Sequence, residues 1–305
     1  VLQTLWDGLV QGALYAVVAL GYTMVYGILL LINFAHGDVV MVGAYAGVVT
    51  LSGLAGSGAF ATAGLLPCLV AAVVASMVVC AAFGVVIERV AYRPLRGAPS
   101  LSPLIGAIGV SMVLQNVVML GQGSTPVYVP AAAAITQTPW TIVPGRLSCA
   151  PLDLVILGVS AVLLYGLWTF VQRTRIGKAM RATSQDRVMA GLVGIDVNRV
   201  IAVTFGVGSA LAAVAGVLLP FYGGNQATFD MGFGTGMKAF TAAVLGGIGN
   251  LPGAMLGGVV LGLVESLGRR FLSDQYKDVY AFVLLLVVLV LRPRGILGER
   301  VAEKV

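Results

Sequence analysis

The sequence predicts an all-α fold, a polytopic membrane helix bundle of about 8–10 transmembrane helices that include broken or re-entrant segments. Three observations carry this. Hydrophobic residues make up 59% of the 305 residues and charged residues 10%, against about 25% charged in a soluble domain; the mean hydropathy is +0.99. The charges are also segregated. No Asp, Glu, Lys or Arg occurs in 8–37, 39–87, 97–145, 154–172, 200–229 or 239–264. A membrane helix needs about 20 apolar residues, so several runs hold one crossing and the longest holds two. Finally, runs such as 70–79 lack the residue-by-residue alternation of a membrane β-strand.

Helices are expected at about 8–32, 38–55, 64–88, 101–121, 152–172 and 200–222, followed by a short broken element near 236–249, a helix near 253–272 and a last helix near 276–291. The opening run lacks a basic leader and reads as a permanent helix. In the first helix, Gln11, Tyr15, Tyr22, Tyr26 and Asn33 are spaced 4, 7, 4 and 7 residues apart, which puts all five on one face. Such a face points into the bundle, either lining a path or hydrogen bonding between helices.

The first helix is interrupted at Asn33-Phe34-Ala35-His36-Gly37-Asp38, with Asn33 and Gly37 as its break residues. His36 is the chain's single histidine, and with Asp38 it makes too small a set for a metal site, so no metal is expected. Gln115 and Asn116 fall in the middle of the fourth helix. A second break is expected over 246–253, at Gly246, Gly247, Gly249, Asn250, Pro252 and Gly253. Broken helices are tolerated at membrane depth where they line a cavity. Lys238 enters this broken region and Glu265 follows it; each reads as functional or as interfacial. Small residues recur at four-residue spacing in Gly8/Gly12, Gly43/Gly47, Gly253/Gly257 and Gly258/Gly262, a pattern for close helix packing.

The loops set an orientation. Residues 88–96 and 173–199 are rich in Arg and Lys and are expected in the cytosol, as is the basic tail 292–304. The segment 122–151, with Arg146 as its one interior charge, and the N-terminus are expected outside. Residues 265–278 sit outside only if 236–272 crosses twice or dips and returns. The net charge of +6 follows from the loops and does not imply nucleic acid. Within 173–199, Thr183 is expected to cap a short helix over 184–192 with Asp186 at its third position. Val188, Met189 and Leu192 form its apolar face and Gly194 ends it. No phosphate-binding Gly-rich loop, nucleophile motif or zinc motif is present, so no enzyme is expected.

Residues 21–27 (GYTMVYG), 32–38 (INFAHGD), 43–45 (GAY), 194–200 (GIDVNRV), 236–249 (GMKAFTAAVLGGIG), 252–258 (PGAMLGG), 276–279 (YKDV) and 294–298 (RGILG) together resemble the LivH-type permease of branched-chain amino-acid ABC transporters. The resemblance runs in order over nearly the whole chain. It implies one permease domain, 1–305, paired in a bacterial cytoplasmic (inner) membrane with a second, LivM-type permease. It further implies two ATPases of LivG and LivF type, which hold ATP and Mg, and a substrate-binding protein, with no cofactor on this chain. It makes 181–195, within the cytosolic coupling segment of about 173–199, the part that docks on an ATPase, with Arg181, Thr183, Asp186, Arg187, Val188, Met189, Leu192 and Gly194 as contact candidates. The path candidates are Gln11, Tyr15, Tyr22, Tyr26, Asn33, His36, Asp38, Gln115, Asn116, Lys238 and Asn250. Leucine, isoleucine and valine are the expected substrates; urea or short amides, and a stand-alone channel or secondary transporter, are the competing readings.

Overall fold

A charge-poor chain with glycine-rich breaks folds into long helices wherever it is uninterrupted, because backbone groups in lipid must be satisfied within the helix. The computed structural model describes residues 1–29, 31–99, 101–130, 139–143, 147–222, 224–292 and 294–298. The expectations for Arg146 and for tail residues 299–304 fall outside these residues.

The long helices are α1 (Leu2–Leu29), α2 (Ala35–Gly56), α3 (Leu65–Ile87), α4 (Leu101–Gln122) and α5 (Pro151–Arg173). Two short helices follow, α6 (Arg175–Gln185) and α7 (Arg187–Leu192), then α8 (Val197–Tyr222), α9 (Met231–Gly246), α10 (Leu251–Phe271) and α11 (Lys277–Leu291). α3 runs on through a wide turn, Glu88–Tyr92, to Leu95. Among the described residues, seven helices are long and apolar enough to cross a membrane; α9 and α11, at 16 and 15 residues, are shorter. The chain is a polytopic helical membrane bundle. Two small antiparallel ribbons join β1 (Val127–Tyr128) to β4 (Gln226–Ala227) and β2 (Trp140–Val143) to β3 (Leu147–Cys149).

The end of the bundle holding Leu2 is called upper here, and the end holding Leu29 lower. α1 is the central post: 89% of its apolar window is buried, against 17% for α4 and for α5, which face outward. α10 runs antiparallel along α1, and glycines set their distance. A Cβ on Gly12 would stand 2.7 Å from the Val259 Cα, and one on Gly258 would stand 2.6 Å from the Ala16 Cα. Gly8 and Gly262 complete the seam. Gly43 against Ala213 brings α2 equally close to α8.

The break after α1 is a re-entry. α2 starts beside Gly21, which touches His36 and lies eight residues before the end of α1, about 12 Å up the bundle. α9 starts at the same depth, with Gly232 and Gly236 on Gly37 and Asp38. The expected second break also forms: α9 descends, the chain turns at Gly247 (φ +103°) and Gly249 (φ +99°), and α10 returns. Asn250 caps α10, its side-chain oxygen accepting from Gly253 N at 3.0 Å, with Pro252 in the first turn. Two expectations are corrected. Asn33 does not continue the α1 face, because α1 ends at Leu29 and the chain has already reversed. Thr183 does not start a helix; it is buried late in α6 and donates to Ala179 O, while Asp186 caps α7. Thr174 caps α6 instead, accepting from Gly177 N at 3.0 Å.

Packing this tight predicts that Gly258→Leu destabilises the protein by about 1–3 kcal/mol. Gly166→Leu, on a side with open space, stays within about 0.5 kcal/mol. Thermal unfolding of the detergent-purified protein compares them. Equal losses would sink the account of the α1–α10 seam.

Candidate functional site

The upper site begins with Glu265 on α10, whose side chain is fully buried. A carboxylate at that depth needs compensation, and four donors supply it. Lys238 of α9 approaches Oε1 at 2.9 Å and Arg269, one turn on, at 2.6 Å. From α1, Tyr15 OH donates to Oε2 at 2.9 Å and Gln11 Nε2 to Oε1 at 3.2 Å. Lys238 also pairs with Asp278 on the first turn of α11, at 2.8 Å, and lies 5.8 Å from the centre of the Tyr15 ring. Four helices therefore converge on one charge network.

The network borders a cavity of about 480 Å³. Its wall includes Gln11, Tyr15, Lys238, Arg269 and Asp278, with Leu219, Met231 and Tyr222 as apolar and aromatic surface. The volume lies in the range of small-molecule sites.

A second polar group lies at the helix re-entry. Asp38 is buried and accepts from Ser111 Oγ and, at 3.0 Å, from Gln115 Nε2, both on α4. Among the described residues no Lys or Arg pairs with it. Instead Asp38 packs against the first turn of α9, where a Cβ on Gly232 would stand 2.8 Å from Asp38 Oδ1, and a helix N-terminus favours a negative charge. His36 stacks edge-on to Tyr22 with ring centroids 4.7 Å apart. Asn33 accepts from Tyr92 OH at 3.0 Å, which pins the re-entry to the turn after α3.

The lower end carries the short helices. Arg187 Nη2 donates to Ile28 O at 2.8 Å, satisfying a carbonyl in the last turn of α1. Partial burial lowers the Arg187 pKa from its ordinary value, yet the guanidinium stays charged. Arg181 does the same for α5, reaching Val171 O at 3.1 Å and Gln172 O at 3.3 Å. Gly194 (φ +86°) ends α7, with Gly194 N on Gly191 O and Ile195 N on Ala190 O, both 3.0 Å. Val188, Met189, Leu192 and Val193 are 61–77% exposed, an apolar knob on a basic surface.

The sequence-predicted residues thus separate into groups. Gln11, Tyr15 and Lys238 meet at the cavity. Tyr22, Asn33, His36, Asp38 and Gln115 gather at the re-entry. Asn250 lies at the lower turn and donates to Leu297 O at 2.9 Å. Asn116 is exposed and bonds its own helix at Met112 O, and Tyr26 is half-buried lower on α1. Sequence reasoning missed Arg269, Tyr222, Asp278, Ser111 and Tyr92. Arg269 was legible in its four-residue spacing from Glu265; the others depend on how the helices pack.

Comparison with known proteins gives a consistent result. A family model described as the permease component of the branched-chain amino acid transport system matches residues 4–289. The high-affinity branched-chain amino acid transport system permease protein BraD of Pseudomonas aeruginosa is 48% identical, covering 100% of this chain and 98% of that protein. LivH of Escherichia coli K12, of the same description, is 46% identical over 100% of this chain and 97% of its own. A probable LivH of Methanocaldococcus jannaschii is 27% identical over 95% and 90%.

The network predicts that Glu265→Leu is severely destabilising. It leaves Lys238 and Arg269 without their shared buried partner, a loss of about 3–5 kcal/mol. Glu265→Gln keeps one acceptor oxygen for Lys238 and Arg269 and loses less. The melting temperatures of the two purified variants check this, and a Leu variant as stable as the Gln variant would refute it.

Proposed function

We propose a transport role from one premise: the chain belongs to the family of branched-chain amino acid transport system permeases. It is a transmembrane subunit of an ATP-binding cassette importer and forms half of the path for leucine, isoleucine and valine. A second, LivM-type permease supplies the other half. Two ATPases of LivG and LivF type bind and hydrolyse ATP with Mg, and a binding protein delivers substrate. The membrane is the bacterial cytoplasmic membrane. The lower end, which holds Arg93, Arg96, Arg175, Lys178, Arg181 and Arg187, faces the cytosol under the positive-inside rule, and the cavity opens outward.

The observation that carries this reading is α1 itself. Its upper half contributes Gln11 and Tyr15 to the cavity network, and its last turn is held by Arg187 of α7. A load on the exposed α7 knob therefore reaches the cavity along one rigid, buried helix. ATP closure of a docked ATPase pair shifts the population between two arrangements of the path. The re-entry at 33–38 and the turn at 246–253 are the bends about which the path rearranges. The chain moves substrate and leaves the chemistry of ATP to its partners.

The test is ATP-driven uptake in proteoliposomes holding both permeases, both ATPases and the binding protein, with labelled leucine, isoleucine, valine and urea offered in parallel. Uptake of the three amino acids is expected. Replacing 181–192 with a flexible linker abolishes uptake and releases the ATPases in a pull-down. Arg187→Ala keeps the ATPases bound but lowers uptake per ATP hydrolysed. Uptake of urea alone, or uptake that survives the linker, would overturn the substrate or the docking assignment respectively.

A further inference from the structure

We infer that the Lys238–Asp278 ion pair is opened by substrate: the zwitterionic head of a free α-amino acid inserts into it. The substrate carboxylate takes Lys238 Nζ and the substrate ammonium takes the Asp278 carboxylate. This rests on the importer reading and adds a head-group site to it.

The two carboxylates on Lys238 are unequal. Glu265 is fully buried and locked by Gln11, Tyr15 and Arg269 as well as by Lys238. Asp278 has 60% of its side chain exposed and borders the cavity. It sits in the first turn of α11, on which Ala281 is buried. When Asp278 lets go, Lys238 remains paired with Glu265, so its charge stays compensated at membrane depth. The weaker partner is the one that faces the incoming ligand.

Charge balance then selects the ligand class. Opening the pair leaves one cation and one anion across a narrow gap. A zwitterion satisfies both and adds no net charge to the cavity. A carboxylic acid without the ammonium takes Lys238 from Asp278 and sets an added anion beside it, and an amino amide takes Asp278 and adds a cation beside Lys238, which keeps Glu265 alone as its partner. Both carry an electrostatic penalty inside a low-dielectric wall. Leu219, Met231 and the Tyr15 and Tyr222 rings supply surface for an aliphatic side chain. The head group is therefore read strictly and the side chain loosely, which suits one path serving several branched amino acids.

Direct binding to the complete four-subunit complex in nanodiscs, without the binding protein, tests this with labelled leucine. Unlabelled isoleucine and valine should displace the label; leucinamide and 4-methylpentanoate should not. Asp278→Asn should weaken leucine about tenfold or more, as loss of a charge-assisted bond does, and should let 4-methylpentanoate compete. Lys238→Gln should abolish binding of both. Asp278 is exposed, so its variant keeps the fold. Leucine affinity unchanged by Asp278→Asn, effective competition by leucinamide in the wild type, or no leucine binding at all would each overturn the inference. If ATP-driven uptake persists in that last case, the importer reading stands without it. If uptake is absent too, both fall.

Discussion

Glu265 is where the architecture is decided. A carboxylate without solvent contact, in a segment long enough to cross a membrane, must find donors or lose its charge. It finds them on α1, on α9 and one turn along its own helix, which fixes the rotation of α10 about its axis and its height against α1. The glycine seam allows the approach, but glycines alone would let the two helices slide. The charge network sets the register, and through Lys238 it reaches on to α11.

The re-entry obeys the same constraint with different means. Asp38 is held by neutral donors on α4 and by the first turn of α9. Two helices thus begin at mid-depth with their first turns packed against each other through Gly37, Asp38, Gly232 and Gly236. Because α2 and α9 both start there, neither can shift along its axis without disturbing the other. Arg187 and Arg181 close the opposite end by filling carbonyls that α1 and α5 leave open. The middle helices are braced at three heights by polar contacts, with apolar packing between.

Much of the fold was legible because long charge-free runs and glycine clusters are one-dimensional signals. Most limits of the long helices fall within a few residues of those read from hydropathy, though α1 begins six residues before the expected 8 and α9 five before the expected 236, and the Gly246–Gly253 turn stands where the glycines and proline put it. The site was legible in part. Gln11 and Tyr15 were readable from helical spacing, and they do share a partner. Asn33 was misread since the same spacing was carried past a reversal, which periodicity cannot detect. The Thr183 cap failed for a related reason: Thr174 opens α6 further upstream, so a Thr with a downstream acidic residue fell inside a helix already formed. Asp278 and Tyr222 could not be found, because only the packing of α8 and α11 brings them to Lys238 and Tyr15.

The segment Arg294–Gly298 sits under the turn between α9 and α10. Ile296 N donates to Leu245 O at 2.8 Å and Leu297 N to Gly246 O at 3.0 Å, while Asn250 reaches the Leu297 carbonyl. The last carbonyls of α9 are thus completed by residues made some fifty positions later. During synthesis the hairpin of α9 and α10 enters the bilayer with that end open, and it closes only when the ribosome has delivered the segment after α11. The α9–α10 hairpin is therefore among the last parts of the bundle to be closed, and a chain that stops before Arg294 leaves the Leu245 and Gly246 carbonyls without these partners.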